Sequence, residues 1–157
     1  MKKLGLASIF ALVLMTGIAD GKTLPKHRVT ISHAWARATP ATIKMGAAYL
    51  TLTAMAKTGD RLVGVQSPDA GRVEIHSHNM TNGQMHMDKI GSVAIPAGKT
   101  VQFKTGGLHL MLIDLKRRLI AGHDLKLTLE FSNAGRIDVT AKIEPAWSLG
   151  AIRLGQR

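Results

Sequence analysis

From Arg28 onward the chain runs in short stretches where apolar and polar residues alternate, each closed by residues that favour turns. In the stretch Met45–Ala54, Ala48, Leu50, Leu52 and Ala54 fall on one side, and Tyr49, Thr51 and Thr53 on the other. A strand buried on one face requires that pattern. Val29 and Ile31 begin a similar run, and others cover residues 61–66, 72–76, 84–90, 100–104, 108–113, 124–131 and 136–143. Between them lie Pro68-Asp69, Asn82-Gly83, Pro96-Ala97-Gly98, Thr105-Gly106-Gly107, Ala121-Gly122 and Asn133-Ala134-Gly135, which tolerate tight-turn dihedrals. No convincing amphipathic helix interrupts the series. The spacing therefore predicts an all-β chain folded as an antiparallel sandwich or barrel.

With 157 residues the chain is the size of one domain that buries its own core. Residues 1–19 read differently from the rest. Lys2 and Lys3 precede an apolar run from Leu4 to Ile18, and Gly17 and Ala19 sit where a signal peptidase accepts small side chains. A secretory signal over 1–19 and a single domain over 20–157 with a short basic tail are therefore expected, in the periplasm and with no stable membrane insertion after cleavage. Export leads to oxidising compartments, yet the chain has no cysteine, so imidazole, thioether and carboxylate are the metal-binding side chains available.

The formal charge is +11, and +9 without Lys2 and Lys3. Such a surface attracts acidic partners. Aromatic residues make up 4%, too few stacking platforms for nucleic acid, which the export signal also disfavours.

The chemistry gathers in three of the runs. Leu108, Leu110 and Leu112 share a face, so His109 and Met111 project together from the other. Val73 and Ile75 likewise leave Glu74 and His76 on the opposite side, and Met85 and Met87 alternate with His86 after the Asn82-Gly83 turn. A methionine in a strand is ordinarily core filler and a lone histidine is ordinarily a surface residue. Taken together, however, thioethers and imidazoles suit Cu(I), because a thioether is a neutral, polarisable donor that contributes little to Zn(II), Mg(II) or Ca(II).

The spacing His76, ten residues, Met87, twenty-one residues, His109, one residue, Met111 resembles the H-x10-M-x21-H-x-M signature of the PCu(A)C family of periplasmic copper chaperones. Ala34-Trp35-Ala36-Arg37-Ala38-Thr39-Pro40, Val73-Glu74-Ile75-His76, Ile95-Pro96-Ala97-Gly98 and Gly106-Gly107-Leu108-His109-Leu110-Met111 are also similar to family segments. The resemblance implies a cupredoxin-like Greek-key β-sandwich with His76, Met87, His109 and Met111 as ligands of one Cu(I). It further implies a copper-accepting partner in cytochrome c oxidase assembly, either an oxidase subunit or a thiol-bearing assembly factor. The loop expected between the first two signature residues carries His78, Met80, Met85 and His86, surplus donors and candidates for a weaker second copper.

Other functions compete. A copper storage or resistance protein would share these residues, and a metal-free sandwich could dock a partner through its basic surface. A zinc hydrolase would need an open metal position and a carboxylate base, for which Glu74 and Asp88 are nearest, but no hydrolase spacing accompanies them. A blue-copper electron carrier needs the cysteine this chain lacks.

Overall fold

The fold is taken from a computed structural model that describes residues 29–55, 57–81 and 83–148. The expected signal segment and the end of the basic tail lie outside the described residues. The described residues form ten strands: β1 (Val29–Arg37), β2 (Met45–Ala54), β3 (Asp60–Gln66), β4 (Ala70–Thr81), β5 (Gln84–Ile90), β6 (Val93–Ile95), β7 (Thr100–Gln102), β8 (His109–Leu115), β9 (Asp124–Phe131) and β10 (Gly135–Glu144). No helix occurs among the described residues. The alternating runs are therefore strands, and the all-β sandwich expected from them is the fold.

Hydrogen bonding follows the order β5-β4-β8-β2-β1-β10-β9-β3-β6, with β7 also on β2. Every pairing is antiparallel except β1 with β10, where Trp35, Ala36 and Arg37 run beside Lys142, Ile143 and Glu144. The inward faces meet in one core. Leu50, Leu52, Ile75, Leu110 and Leu112 from the β4-β8-β2 side pack in the same cluster as Leu62, Leu125, Leu127, Leu129 and Ile143. Strand β9 shows the underlying period, for Leu125, Leu127 and Leu129 are buried while Asp124 and Lys126 are exposed.

Strand β1 changes phase along its length. Ile31 stands opposite Leu52, but a bulge between Ser32 and Trp35 puts Ala36, not Trp35, opposite buried Ala48. His33 in the bulge takes φ of 50°, in the left-handed region. One extra residue reverses every later side chain. Trp35 thus turns to the outer face and stacks on Tyr49 with ring centroids 4.4 Å apart, burying two large rings outside the main core.

Candidate metal centre

The centre lies on the outer face of β4 and β8, where the core alternation has to leave it. Val73 pairs with Leu112 and Ile75 with Leu110, directed into the core. The intervening rungs, Glu74 with Met111 and His76 with His109, therefore face the other way. Ala47 of β2 stands opposite Met111, so a small residue leaves room beside the thioether. The imidazoles of His76 and His109 lie with centroids 5.7 Å apart.

Each ring is held by a different partner. The Nδ1 of His109 lies 3.0 Å from the Gly107 carbonyl oxygen, which can only accept, so Nδ1 carries the proton and Nε2 keeps its lone pair. His109 is one of two buried polar or charged residues among those described, at 4% exposure. That burial lowers its pKa below the ordinary 6.5 and keeps the ring neutral, as a metal ligand must be. His76 is arranged in reverse: Nε2 donates to Glu74 Oε2 at 3.0 Å, and Nδ1 is buried without a hydrogen-bond partner among the described residues. The carboxylate that orients it also takes Lys89 at 2.8 Å and Arg72 at 3.4 Å. The Lys89 ammonium, then the His76 ring, hold the Glu74 carboxyl down at a pKa of about 2.

Met87 comes from β5, where it stands opposite His78 on β4. Since His78 shares the alternation of Glu74 and His76, Met87 is on the same face. Its side chain is 49% exposed, which excludes the core-filler role ordinarily expected of a strand methionine. Met111 is half-buried. An open, mainly apolar groove of about 270 Å³ adjoins Met111, lined also by Arg37, Thr39, Ile43 and Met45.

The surplus donors are not in a loop, because β4 continues to Thr81 and β5 resumes at Gln84. Register divides them: His78 faces Met87 and Met80 faces Met85, whereas His86 pairs with Asn79 and points away with Asp88. His86 therefore cannot join the other three in one site. His78 lies nearer the centre than its place in the sequence suggested, with its ring centroid 4.8 Å from that of His109 and its Nδ1 buried and unpartnered among the described residues.

Other residues around the centre carry roles that single-sequence reasoning did not assign. The Gly107 carbonyl, a local contact two residues before His109, and the Lys89 ammonium, brought opposite His76 by strand register, orient the site. Glu74 is visible in the sequence as a face-sharing acid, but its pairing with Lys89 is not. Among the described residues no three histidine, cysteine, aspartate or glutamate side chains converge to hold a metal.

A β-sandwich with paired imidazoles and thioethers on one outer face defines the class of protein. A family model described as Putative lipoprotein LpqE-like matches residues 29–143, and the chain belongs to that family. It is 32% identical over 117 residues to the Putative lipoprotein Lxx21020 of Leifsonia xyli subsp. xyli, covering 74% of this chain and 69% of that protein. Among solved structures it is similar to the copper-bound PCuAC domain from PmoF2, at 26% identity and a TM-score of 0.65, covering 75% of this chain and 93% of that domain. The CuI-DR1885 solution structure from Deinococcus radiodurans is 30% identical with a TM-score of 0.56, covering 80% and 83%. The resemblance to the PCu(A)C family is borne out.

Proposed function

We propose that the protein is an exported, periplasmic Cu(I) carrier that binds one ion through His76, Met87, His109 and Met111 and surrenders it to a thiol-bearing acceptor. The reading rests on the His76–His109 rung, where two imidazoles of fixed tautomer stand on one face with Met111 and Met87. Copper bound by similar domains, in the PmoF2 and DR1885 structures, supports it. Neutral nitrogen and sulfur donors favour Cu(I) over harder ions, and without a thiolate they leave the ion open to capture by cysteine.

Exposure suggests an order of release. Met87, half in solvent, is the donor an incoming thiolate displaces first, while His109, within the sheet, lets go last. The apolar groove beside Met111 offers the acceptor a contact surface. Cytochrome c oxidase assembly is the destination we assign, through an oxidase subunit or an assembly factor. A hydrolytic role is disfavoured by Glu74, because a carboxyl with a pKa of about 2, tied to Lys89 and His76, is a poor general base at neutral pH.

The test is a chelator competition under reducing conditions. One Cu(I) should bind tightly and Zn(II) weakly, with His109→Ala losing the tight site. Equal or better affinity for zinc would overturn the reading. Transfer from the loaded protein to cysteine-bearing acceptors separates a carrier from a store, since a store would retain its ion.

A further inference from the structure

The β4–β5 hairpin carries more soft donors than one ion requires, and register arranges them as a ladder. His78 and Met87 form one rung, and Met80 and Met85 the next rung toward the turn. All four occupy the face that bears His76 and His109, because directly opposed residues of an antiparallel pair and residues two apart point the same way. Successive rungs are separated by about 7 Å. Met80 and Met85 are exposed at 67% and 65%. Two large apolar side chains opposed on an edge hairpin bury little of each other, so packing does not explain them.

His78 supplies the nitrogen. Its ring rests against that of His109, yet its Nδ1 is buried without a hydrogen-bond partner among the described residues. A buried nitrogen of this kind is costly unless something engages it. His76, in contrast, is tied to Glu74, and His109 to Gly107. His78 is the ring on this face to which the structure gives no polar partner.

We propose that His78, Met80 and Met85 form a second soft-metal site for Cu(I), one rung outward from the first, with His86 excluded because it faces away. The proposal rests on the reading of His76, Met87, His109 and Met111 as the first site. Three neutral donors, two of them solvent-exposed thioethers, bind more weakly than four, so the second ion should be held roughly tenfold or more less tightly. Its position gives an ion approaching from solvent a resting place beside the enclosed centre.

Titration with Ag(I), an air-stable soft stand-in, and with Cu(I) under reducing conditions tests this, with stoichiometry read by native mass spectrometry and affinity by chelator competition. The full chain should take two ions in separate steps. Met80→Leu with Met85→Leu should take one ion at the first-site affinity, and His78→Gln should lose the second ion, while His86→Gln should still take two. A full chain that stops at one ion, or a double leucine variant that still takes two, overturns the second site and leaves the first standing. If His109→Ala costs the full chain no tight ion, the first-site reading itself has failed. The leucine changes lie on exposed positions, and an unchanged melting temperature would certify that the fold is intact.

Discussion

At the level of single residues, the centre is governed by which ring nitrogen carries a proton. Glu74 fixes that for His76, and a carboxylate behind a ligating imidazole typically changes metal affinity by 10- to 100-fold. Glu74→Gln should therefore weaken Cu(I) binding by about tenfold with little change in melting temperature, as measured by chelator competition. Acid should weaken binding too. Protons compete with copper for the imidazoles, so affinity falls as pH drops through the imidazole range, and burial of His109 moves its share of that fall below the usual pH. Glu74, near 2, stays ionised throughout and contributes nothing to the slope. A pH-independent affinity would show that the imidazoles are not ligands. The thioethers divide by exposure: Met87→Ala should lower copper affinity yet cost under about 0.5 kcal/mol of stability, whereas truncating Leu112, fully buried, should cost roughly 2–5 kcal/mol.

Among the strands, two turn anchors hold the frame on which the site sits. Asp60, at 8% exposure, accepts from the backbone N–H groups of Arg61 at 2.7 Å, Asn133 at 3.0 Å and Ala134 at 2.9 Å, tying the start of β3 to the β9–β10 turn. Asp60→Ala leaves those donors without their carboxylate and should destabilise the domain by roughly 2–3 kcal/mol in urea unfolding. Asp69 meets Arg117 through two bonds, of 2.6 and 2.9 Å, joining the β3–β4 turn to the segment before β9. The guanidinium lowers the Asp69 pKa below the ordinary 3.8. The stabilisation is therefore complete above that value and is lost as pH falls through the lower folded pKa. Asp69→Asn should cost about 1 kcal/mol at neutral pH and nothing once both states are protonated.

Strands were the most legible elements. Met45–Ala54 and Asp124–Phe131 have the bounds that alternation predicts, because each buries one face only. Residues 77–81 of β4 were not legible as strand, since both faces there are polar or exposed and no core contact imposes a period. Three-residue β6 was missed for want of length. Facing of His109 with Met111 followed from alternation within one strand. The separation of His86 from Met85 likewise follows from alternation within β5, whereas the opposition of His76 to His109 depended on register between strands, which a single sequence does not encode.

On the scale of the whole molecule, charge and chain order matter more than any one contact. The formal charge, +9 without Lys2 and Lys3, should speed encounter with an acidic acceptor, so transfer rates should fall as salt rises while the affinity for copper itself stays nearly constant. A salt-independent transfer rate would show that encounter is not electrostatic. Chain order acts through the parallel contact of β1 with β10, which joins the first and last described strands and links the two runs of the sheet. Residue 111 precedes β10 in the chain, so a chain that emerges end first presents the four proposed donors before it can complete its core. During that interval β1 has no β10 beside it, and the two runs of the sheet are not yet joined behind the proposed site. For an exported chain, secure capture at the proposed site is expected only once the final strand has crossed the membrane and closed the sheet.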